Sequence, residues 1–216
     1  MTIVAIADLH GTLPIIPPCE ILLIAGDIAP DGYGPIGRIR GFDPDLNRME
    51  QVRWLLEEYQ PWEASVPAKH ILATPGNHDW FTSLPEDLRT RLFIDEGCDI
   101  DGKTFWFTPW VSPIGPWNYQ MERRQRKERF FAMPQNLDVL VAHSPVHRVG
   151  DKCWDGEEAG CPELRSLVQQ RRPKHFCFGH IHEGARDGQQ YQEFGQTMAH
   201  NCAIFGRDWT PVQFEI

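Results

Sequence analysis

The chain has 216 residues, 41% of them hydrophobic, 24% charged and 11% aromatic, with a formal charge of −9. That length suits one domain, expected over residues 1–216, burying roughly 70% of its unfolded surface without a disulfide or oligomeric staple. The composition excludes collagen, coiled coil and wholesale disorder, and the longest mainly apolar stretch, residues 15–24, is short and interrupted by prolines and Glu20, so no membrane span is expected.

No basic leader precedes the first strand-like segment, so a cytoplasmic address is the expectation. Thirty acidic against 21 basic residues disfavour duplex nucleic acid as a partner. A small anionic substrate stays open, because a metal inverts the local potential. None of the six cysteines forms a Cys-x-x-Cys pair, which removes zinc-ribbon readings. Cys19, Cys177 and Cys202 read as small buried residues, and no disulfide between Cys153 and Cys161 is expected.

In chain order, residues 2–7 predict a buried strand ending at Asp8, and residues 20–25 a second ending at Gly26-Asp27. Segment 30–44, with glycines at 32, 34, 37 and 41, reads as an irregular loop near the site. Residues 46–58 place Leu46, Met49, Val52 and Leu56 at helical intervals, which predicts an amphipathic helix capped by Asp43 or Asp45, with Pro61 preventing a long continuation. Residues 70–74 predict a third strand, ending in Pro75-Gly76-Asn77-His78-Asp79, and residues 85–88 a short helix after Ser83. Residues 105–107 look like a further strand, and segment 109–117, with three prolines and two tryptophans, like a second functional loop.

The run 123–129 is the one basic patch. Glu128 within it, Glu122 before it and the acidic chain favour a solvated helix face, with recruitment of an oligonucleotide or another anionic ligand as the alternative. Residues 138–142 predict a fourth strand, ending at His143. Residues 162–171 predict a helix that starts with Pro162 and Glu163, ends in arginines and buries Leu164, Leu167 and Val168. Residues 175–178 predict a fifth strand, ending at Gly179-His180, and residues 190–216 are strand-rich with turns near Gly195 and Gly206.

Each strand thus meets polar residues at its C-terminal end, where open α/β folds gather their chemistry. Asp8 and His10, Asp27, Asn77, His143, His180 and His182 are hard to borderline donors. As a set they suit two divalent first-row metals, which can activate water and clamp a phosphoryl group. Singly each is a common chance feature; glycine beside these groups at several strand ends is harder to obtain by accident. Neither a Walker-type phosphate loop nor a dinucleotide fingerprint follows the first strand.

Asp8-x-His10, Gly26-Asp27, Gly76-Asn77-His78-Asp79, His143 and Gly179-His180-x-His182 occur in the order of the five blocks of the calcineurin-like metallophosphoesterases, and the chain resembles that family from Asp8 to His182. The resemblance implies an α/β fold, a four-layer αββα sandwich with the metal site on loops at the C-terminal ends of the central strands. It implies one metal on Asp8, His10 and His182, a second on Asn77, His143 and His180, and Asp27 bridging them. His78 would contact the phosphate and protonate the leaving oxygen, Asp79 would orient His78, and a metal-bridging hydroxide would attack phosphorus. Mn²⁺ leads as the metal, with Fe, Zn, Co or Ni open.

Three further stretches are similar to a small group of the family, the brain and adrenal metallophosphoesterase-domain type, related to class III cyclic nucleotide phosphodiesterases. They are Pro109-Trp110-Val111-Ser112-Pro113, Gly160-Cys161-Pro162-Glu163-Leu164, and Phe178-Gly179-His180-Ile181-His182-Glu183-Gly184. Some members of that group carry glycine where this chain has His180; histidine here implies a competent two-metal enzyme. The group's substrates imply small phosphodiesters such as 2′,3′-cyclic nucleotides. A broad phosphomonoesterase or protein Ser/Thr phosphatase is the alternative within the chemistry, and a catalytically silent metal-binding scaffold the alternative outside it. Asn77, Trp110 and Arg148 are the candidate substrate contacts. Trp117, Asn118 and Tyr119 are further candidates for stacking, and closing the core is the competing role for these aromatic residues. Asn201 is given no catalytic role.

Overall fold

The computed structural model describes residues 1–32, 43–183, 190–204 and 210–216. Two sheets face each other. The first has the order β11-β1-β2-β3-β4, built from β1 (Thr2–Ile6), β2 (Cys19–Ala25), β3 (Ala68–Thr74), β4 (Arg91–Leu92) and β11 (Val212–Glu215). The second has the order β5-β6-β7-β8-β10-β9, from β5 (Glu96–Ile100), β6 (Lys103–Thr108), β7 (Val139–Ala142), β8 (His175–Phe178), β9 (Tyr191–Phe194) and β10 (Thr197–Asn201). β1, β2, β3 and β4 are mutually parallel, as are β6, β7, β8 and β10. All the donor-bearing loops therefore leave the sheets at corresponding ends.

The central strands β1, β2, β3, β7 and β8 are mostly apolar on both faces because both faces are covered. Ile3, Ala5, Leu23 and Leu72 of one sheet pack on Phe105, Phe107, Val141 and Cys177 of the other. The opposite face of the first sheet, with Val4, Leu22 and Ile71, packs on Trp54, Leu55 and Tyr59. The opposite face of the second, with Leu140, Phe176 and Ala199, packs on Phe130, Leu164 and Val168. The result is helix, sheet, sheet, helix: the expected αββα sandwich. At one edge the two sheets join, where the Ala7 amide donates to the Cys202 carbonyl at 2.8 Å. Among the described residues no helix is long and apolar enough to cross a membrane.

The five expected core strands form within two residues of their predicted bounds, and β4 and β5 are additional. The first helical segment departs from expectation twice. It runs as α1 (Pro44–Trp54), a π-helical turn (Leu55–Tyr59) and α2 (Gln60–Ser65), so it continues past Pro61. The wider turn, closed by the Gln60 amide on the Leu55 carbonyl, restarts the helix with Pro61 in its first turn, where a missing N–H costs nothing. Asp43 is the cap, as one of the two expected residues. The apolar row also faces outward: Leu46, Met49 and Leu56 are exposed, while Asn47, Gln51 and Trp54 are buried.

Residues 85–88 form a turn, not a helix. The buried Glu63 carboxylate captures the next two amides, of Arg89 and Thr90, at 2.7 and 3.0 Å. α3 (Arg123–Phe131) carries the basic run, but Arg126 turns inward and, with Arg123, pairs with Glu163 of α4 (Pro162–Arg171). α4 itself forms at the predicted bounds, capped by Cys161. All six cysteines are free; Cys177 and Cys202 are buried and Cys19 half-buried. Most of the glycine-rich loop expected at 30–44, and the turn near Gly206, lie outside the described residues.

Candidate metal centre

The strand-end residues converge. Asp8, His10 and His182 offer ligand atoms within 4.8 Å of one another, and so do Asp8, Asp27 and His143. His182 Nε2 lies 3.3 Å from Asp8 Oδ1, and His10 Nε2 3.7 Å from Asp27 Oδ2. His143 Nε2 lies 3.0 Å from Asn77 Oδ1 and 3.3 Å from Asp27 Oδ2. The His180 ring meets His143 edge-on at 5.0 Å.

The backbone is bent hard to achieve this. Asp8, His10, Asp27 and His180 all hold positive φ, between 44° and 69°, a region that side chains other than glycine's rarely adopt. Two glycines make room. A Cβ on Gly179 would stand 2.2 Å from Asp8 Oδ2, and one on Gly76 2.2 Å from Asp27 Oδ1.

His143 tests whether a cation fits. Its Nδ1 is 2.8 Å from the Ala25 carbonyl, which only accepts, so Nδ1 carries a proton. Nε2 then aims a lone pair at the oxygens of Asn77 and Asp27, which also bring lone pairs. Three buried acceptors meeting at one spot suit a cation, and imidazole with carboxylate and amide oxygen suits a divalent first-row ion. Without one, a proton takes its place. Burial opposes it, yet attraction from Asp27, then Asp8, lifts His143 to about 9. Burial would also raise Asp27, but His143 and His10 hold it well below the usual carboxylate range. Burial, reinforced by charge on His143, pushes His180 down to about 3. The residues present therefore fit a divalent-metal site.

A family profile described as "Calcineurin-like phosphoesterase" matches residues 1–184. The chain belongs to the calcineurin-like phosphoesterase family. It is 26% identical over 204 residues to the UPF0046 protein T07D4.2 of Caenorhabditis elegans, covering 84% of this chain and 51% of that protein. It is 25% identical over 217 residues to human metallophosphoesterase domain-containing protein 1, covering 84% and 60%. The chain thus spans about half to two thirds of the length of these curated relatives. In fold it is similar to the phosphopantetheinyl hydrolase of Mycobacterium tuberculosis, with a TM-score of 0.57 at 14% identity over 94% of this chain and 89% of that one.

Within this calcineurin-like site, several residues serve differently from expectation. Asp79 does not sit on the His78 ring. Its carboxylate accepts from the amides of Gly76 at 2.8 Å, Ala29 at 2.9 Å and Ile28 at 3.0 Å, tying the Asp27 loop to the Asn77 loop. Burial and then Asp27 raise it to about 7, against the pull of those amides. The carboxylate on the imidazole is Asp31, 2.5 Å from His78 Nδ1. Burial opposes charge on His78, but the Asp31 hydrogen bond raises its pKa overall. Asp31 was absent from the sequence-derived set, although it follows Gly26-Asp27 by only four residues.

Trp110 is used in packing. Its indole N–H donates to Asp95 at 2.7 Å, and its ring contacts Tyr119 and Arg129. Trp117 lies against the site, its ring centroid 3.8 Å from that of His78 and the rings tilted by 33°. Arg148 pairs with Glu158 at 2.8 Å and is 67% exposed. Asn201 clamps the site loop: its side-chain amide donates to Ile181, between the two histidines, and to Gly150, each at 3.1 Å.

Proposed function

We propose that the chain is a metal-dependent phosphoesterase that prefers small phosphodiesters, 2′,3′-cyclic nucleotides among them. The observation that carries the reading is the convergence of Asp8, His10, Asp27, Asn77, His143 and His182, with the His180 ring against His143 and the Asp31-held imidazole of His78 beside them. Asp8, His10 and His182 would hold one cation, Asn77, His143 and His180 the other, and Asp27 both. When bound, two such cations supply Lewis acidity and lower the pKa of an attacking water.

The chain does the rest. Asp31 accepts from Nδ1 of His78 and favours the imidazolium, which leaves a proton on Nε2 for the departing oxygen. Trp117 covers the ring and offers a flat apolar wall to the leaving group, which suits a nucleoside or aryl group. A monoester carries one more negative charge, and Arg148, the candidate phosphate contact, pairs with Glu158. The second feature favours the diester.

The test is a rate panel on protein stripped of metal and refilled with Mn²⁺. It compares kcat/KM for an activated aryl diester, its monoester, and the 2′,3′- and 3′,5′-cyclic nucleotides. Diesters turning over best is the expected result. Preference for the monoester would move the function to a phosphatase, and bound metal with no hydrolysis of any ester would sink the enzyme reading.

A further inference from the structure

We infer that Gln51 is a positioning residue that sets the contact between His78 and Asp31; this rests on the reading of His78 as the proton donor. Gln51 lies on the inward face of α1 and is 2% exposed. A buried amide is costly unless its donors and acceptor are used, and this one uses them all on two loops. Its Nε2 donates to the His78 carbonyl at 2.7 Å and to the Pro30 carbonyl at 3.2 Å, and its Oε1 accepts from the Trp80 amide at 2.7 Å.

Pro30 directly precedes Asp31. One side chain therefore holds the loop bearing the carboxylate and the loop bearing the ring. Asp79 ties the Asp27 loop to the Asn77 loop; Gln51 ties the loops of the acid pair. The two tasks are separable, because these hydrogen bonds of Gln51 go to Pro30, His78 and Trp80, none of them a metal-donor residue. Glutamine is also specific in chemistry: one –NH₂ bridges two carbonyls while the oxygen takes an N–H. Ionised glutamate keeps only the last contact, and methionine, of similar volume, keeps none.

The experiment uses zinc-loaded wild type, Gln51→Met and Gln51→Glu. Metal content and Tm are measured first, then kcat and KM for diesters with a nitrophenolate leaving group and with an alkoxide leaving group. The imidazole N–H proton of the His78–Asp31 pair is followed by ¹H NMR and assigned by its absence in Asp31→Asn. The expected result is unchanged metal content, kcat for the alkoxide ester lowered about 10- to 100-fold, little loss for the nitrophenolate ester, which departs without a proton, and an imidazole signal shifted or lost in both variants. An equal loss on both esters, or an imidazole signal at its wild-type position in Gln51→Met, overturns the inference. If wild type hydrolyses neither ester the functional reading fails, and the NMR signal alone decides whether Gln51 sets the pair.

Discussion

Replacing Asp79 by alanine tests how the two halves of the site are joined. The carboxylate is fully buried and accepts from three amides, those of Gly76, Ala29 and Ile28. Its removal leaves three buried donors without it. Each unsatisfied donor costs about 1–3 kcal/mol. Water entering the space recovers part of that, so the expected net loss is about 3–4 kcal/mol. For a chain of this size that lowers Tm by about 10 °C. Metal affinity falls with it, because Ile28 and Gly76 adjoin Asp27 and Asn77. The assay is calorimetry with and without metal, together with metal content by mass spectrometry. Asp79→Asn, which keeps one acceptor oxygen, falls between wild type and Asp79→Ala. A Tm within about 2 °C of wild type, full metal, and a loss confined to esters with poor leaving groups would refute the reasoning and restore Asp79 as the partner of His78.

The remaining predictions concern single side chains. His78→Ala keeps its metal and loses about 10²- to 10⁴-fold in kcat on poor leaving groups; an emptied site would contradict the role given to His78. Asp27→Ala loses both metals or nearly so, and retention of two metals with normal turnover would remove the bridging assignment. His200 is 1% exposed, 3.0 Å from His175, and burial followed by charge on His175 lowers its pKa from 6.5 to about 3. The unfolded chain therefore takes up a proton that the folded chain refuses. The stability His200 contributes is complete above about pH 6.5 and is lost as pH falls toward 3, amounting to about 2 kcal/mol by pH 5. His200→Leu flattens the pH dependence of urea stability between pH 7 and 5 by that amount, and an unchanged slope would show that His200 does not carry it.

The donor pattern was legible in the sequence because parallel strands end alike. A short apolar run followed by a polar residue announces both the strand and the turn that aims its side chain; glycine stands between the two at Asp27, Asn77 and His180, while Asp8 and His143 follow their runs directly. The helix at 162–171 was equally legible, since proline, acid, apolar spacing and terminal arginine all agree there. α1 was legible as a helix but not in its orientation. Periodicity marks an apolar row, and here that row faces out, while Asn47 and Gln51 turn inward and Gln51 binds the polar backbone of the site loops.

Tertiary structure alone decided which neighbours meet. Asp31 reaches His78 across 47 residues, and Gln51 reaches His78 across 27. Asp79, next to His78 in sequence, points instead at amides of the Asp27 loop. Among the tryptophans, Trp117 was brought to the imidazole and Trp110 to Asp95. The physical reason is common to all four. Strand spacing and turn chemistry are local and leave a mark on the sequence, whereas hydrogen-bond partners are set by which loops the two sheets bring to one edge.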